Sequence, residues 1–531
     1  MEKTGKVQMK VQNAVGIGRK TMMRMMTTCA AAALAAGLAS AGNAVNAETV
    51  ELSPIPVPVE FACDMDKPVA FDAKTTVTLE CADAAGAEWL RRHFAEWFGP
   101  SSPKVAAGTA GLVLRPGDEA YAVAADAKGV RIAARTLAGV RWAAYTLRPL
   151  AIARRGTFRT DGRILPTLAV SDAPLLGFRC VHLCWIPPMT GVQIERAIRL
   201  AAMMKFNHVI LEPWGMYKSE RNPWWCWPDA QMTKGEVRRL AAIARDLGVT
   251  MIPQVNVFGH GSSARSCSLK HAVLDLQPEY EPLFEPGGWN WCLTNPETQR
   301  VLRELIAELH EDFGSPPFFH LGCDEAQPPS CPECRKVPYG ELVCRHIAGL
   351  VDFVKSRGAR AMIWHDMLLD RADPRWKGFV AQGGAETAKL ADLLPKDVII
   401  CDWQYSYGNM KEVRTDWPTL RYFKEKGFPV ATCPWMNYRT MKPMADFVAK
   451  IGGFGFIETT WHHLRGSDWA DMYKSASAAA WGTDVPKYTP MFDTSFGILL
   501  RLVGHDMKVS DPKDTGYLNY QIPPGWWVDN N

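Results

Sequence analysis

Two adjacent acids, Asp324 and Glu325, follow a short apolar run, and aromatic side chains recur where similar runs end. Two carboxyl groups in one site can divide proton donation and charge stabilisation between them, which is what cleavage of a glycosidic bond needs. Indole rings stack on the apolar faces of a pyranose, while acidic and guanidinium groups bond its hydroxyls. The combination is typical of a site that binds and hydrolyses a sugar.

The candidate site residues share a position in, or just past, a predicted strand. The candidate catalytic residues are Asp324 and Glu325, and the candidate substrate-binding residues are Arg179, His260, His320, Trp364, Asp366, Trp403, Tyr405, Trp435, Tyr438, Trp461 and His463. A single tryptophan would more often belong to a core, but the recurrence of aromatic residues at successive strand ends favours a site.

The elements that must position these residues alternate between short apolar runs and longer helical stretches. The predicted strands are Phe178–Leu183, His208–Leu211, Thr250–Val257, Phe318–Leu321, Ala359–Trp364, Val398–Cys401, Pro429–Thr432 and Phe454–Glu458. Eight strand–helix units predict an α/β fold, a (β/α)8 TIM barrel over residues 172–494, with its site at the carboxyl ends of the strands. The alternative is a doubly wound open sheet, but no glycine-rich dinucleotide loop follows the first strand.

Residues 48–166 mix short β-like runs with two helical stretches, Gly86–Phe98 and Leu137–Leu150, and predict a small α+β domain before the barrel. One of the β-like runs is Gly111–Leu114. The tail, residues 495–531, is rich in Pro, Gly and Trp, and we expect it to pack on the barrel.

The first 47 residues predict a secretory signal peptide. Basic residues at positions 19–24 precede the small apolar run Ala30–Ala41, and Ala47 ends a stretch that a signal peptidase could cleave; an uncleaved anchor is the alternative. Removal of residues 1–47 would leave 54 basic and 55 acidic side chains, a net charge of −1. No basic surface of the kind that binds nucleic acid is therefore expected. We expect an exported protein, periplasmic or extracellular, without a membrane span, whose partner is a glycan or glycoconjugate.

The cysteines predict no disulfide framework. Without Cys29, thirteen remain, most of them in apolar runs where they predict small buried side chains. The exception is the C-x-x-C pair formed by Cys331 and Cys334. A single pair is weak support for zinc or redox chemistry because no second pair stands at zinc-ribbon spacing, and it favours a local disulfide or loop packing. We expect no metal site and no cofactor.

The segment His320–Glu325 resembles the H-x-G-G-D-E motif of glycoside hydrolase family 20, the β-N-acetylhexosaminidases, with Cys323 replacing the second glycine. Other segments resemble motifs of that family in the same order along the chain. They are Leu137–Leu150, Asp172–Arg179, Pro253–His260, Asn295–Thr298, Ile363–Asp366 and Thr432–Trp435. The resemblance covers roughly residues 60–480 and implies a small α+β domain followed by a catalytic barrel.

The resemblance implies an exo-acting enzyme that releases terminal β-linked N-acetylglucosamine or N-acetylgalactosamine with retention, using the 2-acetamido oxygen of the substrate as nucleophile. Glu325 would protonate the leaving oxygen and later activate water. Asp324 would accept the acetamide N–H and stabilise the developing charge. Two other acids near strand ends, Glu212 and Glu458, are the alternative nucleophiles of a two-carboxylate mechanism.

Several positions depart from the family pattern. Met436 occupies the place of the family's acetamide-binding tyrosine, so Tyr438 or Tyr405 would have to substitute, and His463 replaces a hydroxyl-binding glutamate. These departures keep a second function open, a catalytically silent sugar-binding relative. A third, a metal-dependent barrel hydrolase, is prompted by histidines near strand ends but disfavoured because no H-x-H pair ends the first strand.

Overall fold

A computed structural model of the protein describes residues 54–154, 157–158, 164–186, 189–228, 230–262, 274, 276–405, 414–435, 437–461, 468–484, 499 and 502–503. The predicted signal peptide lies outside these residues, and so does the tail apart from Leu499, Leu502 and Val503, which are buried. No described helix is both long enough and apolar enough to cross a bilayer.

Residues 60–172 build a mixed six-stranded sheet on which two helices pack. Its strands are β1 (Glu60–Ala70), β2 (Thr76–Cys81), β3 (Lys104–Ala107), β4 (Tyr121–Asp126), β5 (Gly129–Ala134) and β8 (Ile164–Asp172), in the spatial order β1-β8-β4-β5-β2-β3; a separate short ribbon pairs β6 (Ala153–Arg154) with β7 (Thr157–Phe158). The helices are α1 (Ala84–Phe98) and α2 (Leu137–Ile152). Asp83 caps the start of helix α1, because its carboxylate accepts the Ala85 N–H.

One strand prediction in this domain is wrong. Gly111–Leu114 is not a strand: Gly111 has a φ of +65° and Val113 is 70% exposed. The N–H groups of Ala110 and Gly111 donate to the Glu80 carboxylate, at 2.7 and 3.2 Å, and are thus satisfied without a strand partner. The strand that pairs with β2 at this edge of the sheet is β3, which precedes Gly111–Leu114 in the chain.

Eight parallel strands form the barrel, which confirms the predicted α/β fold. They are β9 (Phe178–Trp185), β10 (His208–Pro213), β11 (Thr250–Pro253), β12 (Phe318–His320), β13 (Arg360–Trp364), β14 (Ile399–Trp403), β15 (Val430–Cys433) and β16 (Gly455–Thr459). β16 pairs with β9, and a bridge between Gln254 and His320 joins β11 to β12. β11 ends earlier than predicted because the chain beyond Pro253 turns to β12, where the Val255 N–H donates to His320 O at 3.0 Å.

Helices follow the strands of the barrel, in the alternation that the sequence predicts. They are α3 (Gly191–Met203), α4 (Lys234–Leu247), α5 (Pro296–Asp312), α6 (Tyr339–Ser356), α7 (Leu390–Leu393), α8 (Pro418–Glu425), α9 (Tyr438–Lys450) and α10 (Asp468–Trp481). Thr190 caps α3 in a capping box with Gln193, Thr233 caps α4, and Asn295 caps α5 before Pro296. These side chains satisfy N–H groups that a helix start leaves without partners.

Alternate residues of each strand face the barrel interior. The interior apolar cluster consists of Phe178, Cys180, Ile210, Ile252, Met362, Trp364, Ile399, Cys401, Trp403, Ala431, Cys433 and Ile457. Because side chains alternate along a strand, His182 and Glu212 face the interior nearer its carboxyl end, whereas Glu458, next to Ile457, faces away from it. The same inner faces that build the core therefore carry polar groups toward the barrel mouth.

A buried network of polar side chains joins the first domain to the amino end of the barrel. Asp172 Oδ2 accepts the Tyr121 hydroxyl at 2.5 Å and pairs with Lys205 Nζ at 3.1 Å, and its Oδ1 accepts the Trp481 indole N–H at 2.8 Å. All four side chains are buried. Burial lowers the pKa of Lys205, and the Asp172 carboxylate opposes that effect. Removing either charge would leave the other one buried and uncompensated.

We expect Lys205→Ala to lower the free energy of unfolding by about 3–5 kcal/mol, the cost of breaking a buried ion pair from one side. Urea denaturation followed by tryptophan fluorescence measures it. Lys67→Ala is the matched control, because Lys67 forms an exposed pair with Asp64 at 3.0 Å and its loss should change stability little. Equal stability of the two variants would contradict the prediction.

Arg179 belongs to this network and not to the sugar site, so the prediction that it binds substrate is wrong. It is the second residue of β9 and therefore lies at the amino end of the barrel. Its buried guanidinium group pairs with Glu119 at 2.6 Å, and its Nε donates to Lys205 O at 2.9 Å. Arg179 ties the barrel to the loop before β4.

Candidate active site

Asp324 and Glu325 lie in a tight turn at the carboxyl end of β12. The turn uses left-handed backbone conformations at Gly322 (φ +65°), Cys323 (φ +80°) and Glu325 (φ +50°). Residues other than glycine adopt such conformations only where the surrounding structure holds them, and they cluster at functional sites. Asp324 is buried, whereas the Glu325 side chain is 38% exposed. Glu325 is thus the accessible acid of the pair.

Two glycines permit the close packing behind these acids. A Cβ atom on Gly259 would lie 2.0 Å from the carbonyl oxygen of Asp324, and one on Gly322 would lie 1.8 Å from Asn256 Oδ1. Both distances are far below van der Waals contact, so only glycine lets the loop after β11 approach the turn.

His260 lies between the two carboxyl groups. Its Nε2 is 3.3 Å from Asp324 Oδ2 and 3.2 Å from Glu325 Oε2. The ring packs on Trp289 with the centroids 4.3 Å apart, and the Trp289 indole N–H donates to the carbonyl oxygen of Glu325 at 2.8 Å. His260 Nε2 is therefore placed within hydrogen-bonding reach of both acids and can hold them in position.

Asp366 lies behind Glu325 and holds its backbone. Its Oδ2 accepts the Glu325 N–H at 2.8 Å, and its Oδ1 accepts the Trp403 indole N–H at 3.2 Å. The sequence predicts Asp366 as a sugar ligand, whereas in the structure it is fully buried and acts as a positioning residue. Burial raises the pKa of Asp366 well above its ordinary range, and the nearby charge of Asp324 adds to this effect.

Two groups of rings line the mouth of the barrel. In the first, Trp364 is fully buried, with ring centroids 4.3 Å from His320 and 5.6 Å from Trp461. The indole N–H of Trp364 has no hydrogen-bond partner among the described residues, which leaves a buried donor for a ligand. In the second, Tyr405 packs between Trp403 and Trp435, at centroid distances of 5.0 and 5.1 Å.

Tyr405 joins the two groups of rings. Its hydroxyl oxygen accepts the Trp461 indole N–H at 2.8 Å and the Thr459 hydroxyl at 3.1 Å. Tyr438, by contrast, is 43% exposed in the first turn of α9. Tyr405 is therefore the better placed of the two tyrosines that the sequence offers as an acetamide partner. Met436 and His463 lie outside the described residues.

Below the rings, the structure places Glu212, which the sequence offers as an alternative nucleophile, together with His182 and Asn256, which the sequence does not predict as site residues. Glu212 Oε2 lies 3.1 Å from His182 Nε2, and its Oε1 accepts the Asn256 amide N–H at 3.0 Å. All three side chains are buried. Strand alternation was the available signal, because His182 and Glu212 each follow an interior residue, Cys180 or Ile210, by two positions.

Taken with the fold, these residues define a class of protein. A (β/α)8 barrel that carries a pair of acids and aromatic walls at the carboxyl ends of its strands has the arrangement typical of glycoside hydrolases. Two family models match the chain: the model of the glycosyl hydrolase family 20 catalytic domain over residues 211–447, and that of domain 2 of the same family over residues 49–173. The chain belongs to glycosyl hydrolase family 20.

Individual relatives agree with this assignment. The chain is 25% identical over 406 residues to a β-hexosaminidase of Vibrio furnissii, an alignment that covers 68% of this chain and 61% of the relative. It is 22% identical over 340 residues to β-hexosaminidase 1 of Coccidioides posadasii, with 56% of this chain and 51% of the relative covered. The chain thus spans between half and two thirds of the length of these curated relatives.

Solved structures share the fold. A β-N-acetylhexosaminidase from Bacteroides fragilis matches with a TM-score of 0.57 and 18% identity, covering 82% of this chain and 92% of that one. An exo-β-N-acetylglucosaminidase from Vibrio harveyi in complex with N-acetylglucosamine matches with a TM-score of 0.61 and 17% identity, covering 86% and 77%. At these identities the likeness establishes the architecture alone.

Proposed function

We propose that the protein is an exo-acting glycoside hydrolase that releases terminal β-linked N-acetylhexosamine, GlcNAc or GalNAc, by substrate-assisted retaining catalysis. The observation that carries the proposal is the Asp324–Glu325 pair, one acid buried and one accessible, with His260 within 3.3 Å of both. Family membership and the β-hexosaminidases among the relatives support the same reaction.

Each acid has one role in this reaction. The acetamido oxygen of the substrate attacks the anomeric carbon while the glycosidic C–O bond breaks, and Glu325 gives its proton to the leaving oxygen. Asp324 accepts the acetamide N–H and stabilises the positive charge of the resulting oxazolinium ring. Glu325, now ionised, then takes a proton from the water that opens the ring, and the sugar leaves with its original configuration.

The aromatic groups bind and shield the sugar. Trp461, which is partly exposed, offers a ring face to the pyranose with the buried Trp364 packed behind it, and the hydroxyl of Tyr405 is the candidate donor to the acetamide oxygen. This assignment gives Tyr405 the part that a tyrosine at position 436 would play. The rings also exclude water, which strengthens every charge interaction within the site.

Turnover of aryl 2-acetamido-2-deoxy glycosides tests the proposal. The purified chain should release the chromophore from β-linked GlcNAc or GalNAc glycosides, and chitooligosaccharide digestion should yield single sugars from one end. A panel that includes both epimers identifies the preferred sugar. The competing function, a silent sugar-binding relative, would give binding of GlcNAc or GalNAc in calorimetry with no turnover of any aryl glycoside.

We expect Asp366→Asn to lower kcat about 10–100-fold with little change in KM. The asparagine can accept only one of the two N–H groups that Asp366 holds, so Glu325 loses its exact orientation. Asp370→Asn is the matched control, because an asparagine there can still accept the Ala372 N–H. A loss confined to KM would contradict the positioning role.

The same variant should change how stability depends on pH. The pKa of Asp366 is raised in the folded protein, so above the ordinary value of 3.8 the folded state holds a proton that the unfolded state releases. Wild-type stability should therefore fall relative to that of Asp366→Asn as pH rises from about 4, because asparagine cannot ionise. Urea denaturation at several pH values measures the difference, and a constant difference would contradict it.

Export is also proposed, on the basic residues and small apolar run within residues 1–47. Expression of the full chain in a Gram-negative host, followed by fractionation and N-terminal sequencing, tests it. A mature protein that begins after Ala47 supports export, whereas an intact amino terminus in the cytoplasm contradicts it.

A further inference from the structure

Three cysteines and one glutamate converge beside the candidate active site. Cys292 and Glu285 belong to the loop before α5, and Cys331 and Cys334 belong to the loop after β12. One potential ligand atom from each residue lies within 4.8 Å of all the others. Glu285, Cys292 and Cys334 are buried, Cys331 is partly buried, and all three cysteines are free thiols.

The sulfur separations match a tetrahedral metal site. Two thiolates that each lie about 2.3 Å from one tetrahedral zinc ion are about 3.8 Å apart. Cys292 Sγ is 3.7 Å from Cys334 Sγ and 3.9 Å from Cys331 Sγ. Three sulfurs and a carboxylate oxygen complete four ligands, the number that closes a structural zinc site.

The surroundings supply the hydrogen bonds that such ligands need. The Cys334 N–H donates to Cys331 Sγ at 3.3 Å, and Thr294 Oγ1 lies 3.2 Å from Cys334 Sγ. The N–H groups of Ser330 and Cys331 donate to Glu285 Oε2 at 2.7 and 2.6 Å, which orients the carboxylate. Hydrogen bonds of this kind hold metal ligands in position and tune their basicity.

A bound cation would also neutralise the buried carboxylate of Glu285. Glu285 Oε1 is buried and accepts no N–H or O–H group of the described residues, and the thiols of Cys331 and Cys334 are among the side chains that contact this carboxylate. A buried carboxylate oxygen without a partner is costly unless an ion or proton meets it. With three thiols around it, the group has the donor set of a soft divalent ion.

We propose that Glu285, Cys292, Cys331 and Cys334 bind one structural zinc ion. The set has no open position for a substrate, so the ion holds loops together and takes no part in hydrolysis. The C-x-x-C pair is therefore half of a site whose other half lies 39 residues or more away along the chain. This replaces the expectation of a local disulfide and of no metal site.

The zinc ion fastens two loops that contact Glu325. Trp289, between Glu285 and Cys292, donates its indole N–H to the carbonyl oxygen of Glu325. Its neighbour Asn290 exchanges two hydrogen bonds with the backbone of Gln327, at 2.6 and 3.1 Å. The ion thus holds in place the two loops that contact Glu325. Zinc binding does not depend on which sugar, if any, the site cleaves.

Metal content tests the proposal directly. The full chain, purified reduced and without a histidine tag, should contain about one zinc per chain by plasma mass spectrometry. Cys292→Ser and Cys334→Ser should each reduce that content at least tenfold. Cys344→Ser, at a partly buried free thiol on α6, is the matched control and should keep the metal. Zinc that remains in both ligand variants would overturn the assignment.

A second measurement covers the case in which a ligand variant fails to fold. In the wild-type chain, a mercurial that blocks thiols should release zinc to a colorimetric chelator, and cobalt replacing zinc should give thiolate-to-metal charge-transfer absorption. A chelator should lower the Tm of the wild-type chain, and added zinc should restore it. A wild-type chain that binds no zinc or cobalt when reduced, or that carries a disulfide among these cysteines when native, would overturn the proposal.

Discussion

Glu325→Gln is expected to lower kcat by about 10²–10⁴ for substrates with poor leaving groups. Glutamine matches the shape of glutamic acid but cannot give a proton to the leaving oxygen. The backbone contacts that place residue 325, from Asp366 and Trp289, involve its N–H and carbonyl groups and stay intact in the variant. The lower kcat should therefore reflect the missing proton donor alone, and the fold and Tm should be unchanged.

Leaving-group dependence identifies the acid. A nitrophenolate leaves without much protonation, so Glu325→Gln should lose less activity on nitrophenyl glycosides than on chitobiose. Glu333→Gln, on an exposed acid eight residues later, is the control and should behave as wild type. If Glu325→Gln cleaves chitobiose at a near wild-type rate, Glu325 is not the proton donor.

The barrel could be predicted because the sequence pattern of each strand–helix unit lies within one short stretch of the chain. Each of the eight strands is a short apolar run followed by a helix, and a parallel strand buried on both faces needs such a run. Chain direction also places Asp324 and Glu325 correctly, since residues that follow a strand lie at its carboxyl end. The same rule excludes Arg179, the second residue of β9, from the site.

Contacts between distant segments could not be predicted in this way. Nothing in the segment around Asp366 shows that its carboxylate accepts the N–H of Glu325, 41 residues earlier. Likewise, helix α5 and strand β12 separate Cys292 from Cys331, and only the folded chain brings their sulfurs together. The strand predicted at Gly111–Leu114 is wrong for a related reason: the N–H groups of Ala110 and Gly111 donate to a side chain, Glu80, and not to a strand.

The substrate's own acetamido group is expected to be essential for turnover. A 2-hydroxy glycoside such as nitrophenyl β-glucoside should react at least about 10³-fold more slowly than the matching GlcNAc or GalNAc glycoside, because it lacks the nucleophile. The buried Asp324 supports this, since a carboxylate there can hold the acetamide N–H without competition from water. The other acids are less suited: Glu458 faces away from the barrel interior, and Glu212 is already bonded by His182 and Asn256.

A thiazoline made from the preferred sugar tests the same point without turnover. It mimics the oxazolinium ring and should inhibit at concentrations well below KM, as analogues of a reactive intermediate do. Asp324→Asn should weaken that inhibition by a factor of 10 or more, because the charged carboxylate stabilises the ring's positive charge. Asp352→Asn, on the exposed face of α6, is the control and should leave inhibition unchanged.

The rival mechanism makes opposite predictions at each step. If Glu212 were the nucleophile, a 2-deoxy-2-fluoro glycoside would label it covalently, and mass spectrometry of peptides would find the sugar on that residue. Plain glucosides would then be cleaved efficiently, and the thiazoline would bind no better than the product. We expect no label on Glu212, because its two oxygens already lie against His182 and Asn256 and an attack would have to break those contacts.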